Sequence, residues 1–229
     1  RSTPLYSSAA SDVYKRQAMK CVMEFDDPAC VIVKHVNPCG VATGTDLNHA
    51  YHKSFETDPE SAFGGVIAFN RSVDNDLARN IIKNQFVEVL IAPDYTEDAL
   101  DALKEKKNIR VISKKFAKKP NTSDWNDWTI QAIDGGFLVQ EDDYQIIEKR
   151  DIEFEVTTDK EPTEEQFSDL IFAWKVCKYI KSNAIIFAST SLNSISYDEI
   201  RLSPPNTEDV MSSRLKSGTS ARITDSGID

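Results

Sequence analysis

From Ala18 onward the apolar positions alternate between two rhythms. Short unbroken aliphatic runs read as strands buried on both faces, and stretches with apolar residues three and four apart read as helices with one buried side. The pattern predicts a short helix over Ala18 to Phe25, closed by Asp26 to Pro28, and then a strand over Cys30 to His35. In that reading Asn37, Pro38 and Gly40 turn the chain, because proline fixes its own φ and glycine permits a sharp bend. A helix over Asp46 to Phe55 follows, with Thr45 or Asp46 as its cap. Gly64-Gly65 opens a strand over Val66 to Phe69, and Asp74 caps a helix to Asn84. A strand over Val87 to Ala92 stops at Pro93. Thr96 to Lys107 is a helix with acidic residues in its first turn and lysines in its last, as the helix dipole prefers. Ile109 to Ile112 is a further strand. This alternation predicts an α/β fold with a mostly parallel, mixed sheet and right-handed crossovers.

The rhythm breaks over Ser113 to Asp134, where Lys114, Lys115, Lys118 and Lys119 precede two tryptophans. A solvated surface excursion is the plainer reading, and a phosphate-contacting patch the sharper one. Gly135-Gly136 leads into a strand at Phe137 to Gln140, and a weak strand is predicted at Ile152 to Val156. Pro162 to Gln166 is a strong helix start: Thr163 caps and Gln166 stands three residues on, as in a capping box. That helix is expected to reach about Lys181, with Phe167, Leu170, Ile171, Trp174 and Cys177 on a wide buried face. Ala184 to Ala188 is again a strand. Arg1 to Gln17 is Ser/Ala-rich without period and reads as translated cloning or adaptor sequence, set aside from the fold. Residues 191–229 are Ser/Thr-rich and read as loop, disorder or sequence foreign to the domain.

Composition narrows the class. The chain has 229 residues, room for one large domain or two small ones. Its net charge of −10 argues against a nucleic-acid-binding protein, which carries a basic stripe, yet leaves room for an anionic small molecule in a local basic pocket. Cys21, Cys30, Cys39 and Cys177 show no C-x-x-C spacing, and a reducing cytoplasm fits them best. No apolar run is long enough to span a membrane.

Chemistry concentrates at Lys34-His35. An ammonium next to an imidazole disfavours its protonation, which keeps a histidine neutral and able to act as a base. Lys34 reads either as a donor to a phosphate or developing oxyanion, or as a surface lysine at a strand end. His35 and Pro38-Cys39 echo half of a zinc-deaminase motif. That motif also needs H-x-E and a second cysteine, which are missing, so no zinc is expected. His49 and His52 lack a partner spaced to complete a metal set and read as surface residues. Gly64 and Gly65 let backbone approach a ligand closely. Asn183 either reads a carboxamide, since an amide both donates and accepts, or caps the end of its helix.

Four stretches together go further: Lys34-His35-Val36-Asn37-Pro38-Cys39-Gly40, Asp58-Pro59-Glu60-Ser61-Ala62-Phe63-Gly64-Gly65, Phe86-Val87-Glu88, and Phe172-Ala173-Trp174-Lys175 through Lys181-Ser182-Asn183-Ala184-Ile185. In order and spacing they resemble the family of bacterial bifunctional purine-biosynthesis proteins. That family joins phosphoribosylaminoimidazolecarboxamide (AICAR) formyltransferase to IMP cyclohydrolase. The resemblance covers about Ala18 to Ala188 and lies in the formyltransferase domain. It implies two cytidine-deaminase-like α/β lobes without zinc. Residues 18–160 would form the first lobe and 161–190 the start of the second. It also implies that the AICAR 5-amino group attacks the formyl carbon of the co-substrate 10-formyltetrahydrofolate. His35 would be the proton acceptor, and Lys34 would stabilise the transition state. Gly64, Glu88 and Asn183 would contact AICAR, with Asn37 and Phe63 as further substrate-binding positions. A homodimer is implied, with no nucleic-acid or membrane partner. The family's cyclohydrolase domain and C-terminal folate-contacting region have no counterpart here, so the sequence is expected to be an inactive fragment. Two other readings stand beside this one: a non-catalytic nucleotide-binding fragment, and a zinc-free relative of the deaminase fold.

Overall fold

The computed structural model of the chain describes residues 5–35, 37–115, 128–141, 143, 156, 160–181, 185–188 and 201–203. The aliphatic runs form a mixed five-stranded sheet of order β2-β1-β3-β4-β5. The strands are β1 (Ala29–Lys34), β2 (Asn37–Thr43), β3 (Gly65–Phe69), β4 (Val87–Ala92) and β5 (Arg110–Ser113). β1 runs antiparallel to both β2 and β3, whereas β3, β4 and β5 are mutually parallel.

Successive strand residues face opposite sides, and both sides are filled. Cys30, Ile32, Ile67, Phe69 and Leu90 enter one core with residues of α2 (Leu47–Thr57), α3 (Pro59–Ala62), α4 (Asn75–Asn84) and α5 (Glu97–Lys104). Val31, Val33, Val66, Ala68, Val89 and Ile91 enter the other, with Ala18, Cys21 and Val22 of α1 (Leu5–Val22) and Phe172, Ala173 and Val176 of α6 (Glu164–Cys177). The fold is therefore a helix–sheet–helix sandwich. Asp46, Asp58, Asp74, Thr96 and Thr163 each accept from the amide three residues on, and Thr163 and Gln166 close a full capping box. Each such cap contributes about 1 kcal/mol. Buried Asn70 ties the end of β3 to the chain entering β1: its Nδ2 donates to the carbonyls of Phe25 (2.8 Å) and Asp27 (2.6 Å), and its Oδ1 accepts from Ala29 (2.9 Å).

Several elements differ from the pattern-based expectation. Asn37 to Gly40 is not a turn but the start of β2. Pro38 is tolerated there because β2 is the sheet's edge and carries a bulge: Ile32 faces Gly40, Val33 faces Pro38, and Cys39 is the extra residue. Gly40 answers a packing demand rather than a bend, since a Cβ there would lie 2.1 Å from the Ser54 carbonyl oxygen of α2. The first helix is longer than Ala18 to Phe25 at its start and stops at Val22. α5 ends at Lys104 and α6 at Cys177, both short of expectation. The Phe137 strand belongs to a ribbon, β6 (Trp128–Ile133) with β7 (Gly136–Glu141), whose first strand alternation alone did not mark. β8 (Ile185–Phe187) pairs with β9 (Arg201–Ser203). Apart from Val156, the weak strand expected at Ile152 to Val156 lies outside the described residues.

Candidate functional site

β1 and β2 form a hairpin whose tip carries the basic pair. β1 ends at Lys34, and His35 takes φ +50°. Two-residue hairpin loops need positive φ, which normally selects Asn or Gly. A histidine in that region carries backbone strain of order 1 kcal/mol. The imidazole is held exposed at the tip.

β1 opposes β3, so this outgoing tip stands beside the residues that enter β3, with Val33 paired to Val66. Lys34 Nζ donates to the Phe63 carbonyl oxygen. Gly64 has φ +72°, and a Cβ there would sit 3.0 Å from Lys34 Nζ. The Gly64 N–H donates to the Phe86 carbonyl at 2.7 Å, tying the entry of β3 to the entry of β4. The Phe63 and Phe86 rings lie 5.7 Å apart, tilted by 43°, and are 59% and 39% exposed. They form one lip of a cleft of about 450 Å³ that Lys83, Asn84, Lys106 and Lys107 also line.

Glu88 reaches the surface through a second bulge. Gly65 pairs with Val87 but Val66 with Val89, so Glu88 is the extra residue of β4. Val87 and Leu90 both enter the same core, an interval of three where a regular strand allows two. The irregularity leaves the Glu88 carboxylate exposed on the edge that holds Gly64. Half-buried Asn37, paired with Lys34 next to the hairpin loop, accepts at Oδ1 from the Lys181 N–H (3.2 Å), bringing the chain leaving α6 to the tip. Asn183, two residues on, lies outside the described residues.

Of the residues singled out from sequence, Lys34, Phe63 and Gly64 are thus in direct contact. His35 is their neighbour at the tip, Glu88 shares their edge, and Asn37 anchors Lys181. His49 is engaged in its own helix start: its N–H donates to Asp46 (2.8 Å), and its Nδ1 accepts from Thr45 (3.3 Å). His52 is exposed, its ring against Tyr51. Cys39 is a protonated thiol. Burial first, then the Asp58 charge, push it up to about 12. Among the described residues no three His, Cys, Asp or Glu side chains gather as a metal set. Lys114 and Lys115 are exposed; Lys118 and Lys119 lie outside the described residues. Sequence reasoning missed Phe86 as a partner of Phe63 and Lys181 as a partner of Asn37. An aromatic residue placed just before a buried strand was the signal for the first; the second has no local signal.

Fold and edge chemistry together define a three-layer α/β protein. Its candidate site residues gather where one antiparallel strand ends and two parallel strands begin. No helix among the described residues is long and apolar enough to cross a membrane. The chain belongs to the AICARFT/IMPCHase bienzyme family, an enzyme family of purine biosynthesis, whose model matches residues 11–194.

Among solved structures, the chain is similar to RibD of Acinetobacter baumannii, form 2. The identity is 17% and the TM-score 0.35, over 48% of this chain and 34% of that one. It is also similar to the dCMP deaminase of cyanophage S-TIM5. The apo form gives 14% identity and TM-score 0.34, over 48% of this chain and 98% of that one. The complex with dCMP and dUMP gives 13% and 0.32, over 49% and 99%. These likenesses are too low to carry a functional argument. The chain spans about a third of the RibD structure's length.

Proposed function

We propose that the protein supplies the formyl-transfer site of its family, moving a formyl group from 10-formyltetrahydrofolate to the 5-amino group of AICAR in IMP synthesis. The observation that carries this reading is the Lys34–His35 tip set against Gly64 in a chain of this family. The amine nitrogen attacks the formyl carbon and a new C–N bond forms. His35 takes the amine proton, and the bond from the formyl carbon to the folate nitrogen then breaks. That nitrogen leaves with the proton returned by the imidazole. An aromatic amine is a weak nucleophile, and a positioned base of this kind contributes about 10²–10⁴-fold. Lys34 stabilises the oxyanion that develops on the formyl oxygen. Its ammonium has three donors, and the Phe63 carbonyl occupies one. A positioned donor at such an oxyanion contributes about 3–4 kcal/mol.

Gly64, Glu88, Asn37, Phe63 and Asn183 make up the AICAR-binding set in this reading. Gly64 offers close backbone approach, Glu88 accepts from the amine or ribose hydroxyls, and the exposed Phe63 ring gives a flat face for stacking. Asn183 reads the carboxamide. The working unit is a homodimer in the cytoplasm. The β6–β7 ribbon supports association, since Ile130, Ile133, Phe137 and Leu138 on it are all exposed and a lone two-stranded ribbon is marginal in water.

Formation of 5-formamido product from AICAR and 10-formyltetrahydrofolate, followed spectrophotometrically, tests the reading. Turnover lost in His35→Ala with AICAR still bound is the expected result; turnover kept by that variant overturns the base assignment. One observation favours a second reading, a nucleotide-binding protein without turnover. Among the described residues no side chain orients the exposed imidazole. AICAR bound by the wild-type chain with no product formed selects that reading.

A further inference from the structure

Away from the tip, one carboxylate is buried where α1 and α6 meet. Glu24 follows α1 in a tight turn, its N–H donating to the Cys21 carbonyl at 3.2 Å, and is 5% exposed. Two consecutive residues at the end of α6 converge on its Oε1: Lys178 Nζ at 2.8 Å and the Tyr179 hydroxyl at 2.6 Å. The Lys178 ammonium also stands 3.6 Å from Asp143. Gln17 Nε2 donates to the Tyr179 carbonyl. Among the described residues Glu24 Oε2 has no hydrogen-bond partner.

As a stabilising device this arrangement is poor. Burying an ion pair costs desolvation that its attraction only roughly offsets, and an apolar substitute is often as stable. It does confer location. Side chains that are neighbours along the helix end point in different directions, and both must reach one oxygen. The rotation and the rise of the last turn of α6 are therefore fixed together. Three residues beyond Lys178, the Lys181 N–H meets Asn37, which pairs with Lys34 across the hairpin whose tip carries His35.

We propose that Glu24 is a positioning residue for the tip site. Through Lys178 and Tyr179 it sets the end of α6, so that Lys181 holds Asn37 and Asn37 holds the hairpin in the geometry that presents Lys34 and His35. The proposal rests on the formyl-transfer reading only for what the site binds; the mechanical link stands apart from it.

The test uses the whole chain and three variants: Glu24→Gln, Tyr179→Phe, and Leu77→Ala as a destabilised control. Leu77 is buried at the start of α4, which leads away from the far edge of the sheet. Amide exchange is followed by NMR below the melting point of every variant, and AICAR binding by titration calorimetry. Expected is an exchange rate at Lys181 at least tenfold faster in Glu24→Gln and several-fold faster in Tyr179→Phe. AICAR affinity should fall about tenfold in Glu24→Gln. Leu77→Ala should lower the melting temperature without either change. Unaltered Lys181 exchange in Glu24→Gln overturns the proposal. So does faster exchange with undiminished AICAR affinity. Failure of the wild-type chain to take up AICAR refutes the functional reading instead, and Lys181 exchange then still decides whether Glu24 fixes the tip.

Discussion

The Gly64 N–H and the Phe86 carbonyl oxygen lie 2.7 Å apart, and this bond joins the mouths of two parallel strands beneath Lys34. Gly64 sits at φ +72° with Lys34 Nζ 3.0 Å from where a Cβ would be. Gly64→Ala therefore meets both backbone strain and the lysine. A stability loss of about 1–2 kcal/mol is expected in urea titration. In the formyl-transfer reading AICAR affinity should drop more than stability does, because Gly64 is the residue whose backbone approaches the nucleotide there. An alanine variant that melts and binds like the wild type would remove Gly64 from the site.

His35 holds a left-handed conformation that asparagine adopts more readily. His35→Asn should raise stability by up to about 1 kcal/mol, as relief of local strain allows. In the same variant formyl transfer should fall at least about 100-fold, the range expected for loss of a base. A gain in melting temperature with a collapse in turnover would show strain kept for function. Unchanged stability would mean that the tip is not strained.

At Gly40 the obstacle is backbone. A Cβ would stand 2.1 Å from the Ser54 carbonyl oxygen and 2.9 Å from its carbon, and neither can swing aside as a side-chain end would. Gly40→Ala must push α2 off the edge strand. A loss of about 3 kcal/mol or more is expected, the upper range for overpacking, read as reduced soluble yield and a lowered urea midpoint.

Cys39 gives the chain a dependence on alkaline pH. Burial raises its thiol from 9.0 to about 12 when folded. The folded state thus holds the proton more tightly than the unfolded state. Its contribution to stability is complete below pH 9 and lost as pH rises toward 12. The urea midpoint of the wild type should fall more steeply between pH 9 and 11 than that of Cys39→Ala. Parallel pH profiles would contradict the assignment.

What the sequence disclosed depended on how local the cause was. The caps at Asp46, Asp74 and Thr163 were legible because a cap is made within four residues of chain, whereas Thr96 was read as the first helical residue and is instead the cap. β4 was legible residue for residue, since Val89 to Ala92 is one aliphatic run, as in a strand covered on both faces, and Pro93 stops it. β2 was hidden because Asn-Pro-Cys-Gly carries turn chemistry, and only its place at the sheet edge makes it a strand. The bulge at Glu88 and the bond from Asn37 to Lys181 were hidden for a related reason: each depends on a partner far along the chain. At the site itself, residue types were readable from their motifs, but the contact of Lys34 with Phe63 depends on β1 running against β3, which no local pattern encodes.

That opposed direction leaves the reach of the imidazole free of the core. Each residue added to both arms of the hairpin carries its end about 3.3 Å further beyond the rim of the sheet. All pairs from Cys30 with Phe69 to Val33 with Val66 stay as they are. In the formyl-transfer reading, a lengthened or shortened arm would therefore suit a bulkier or slimmer acceptor while the interior stays unchanged.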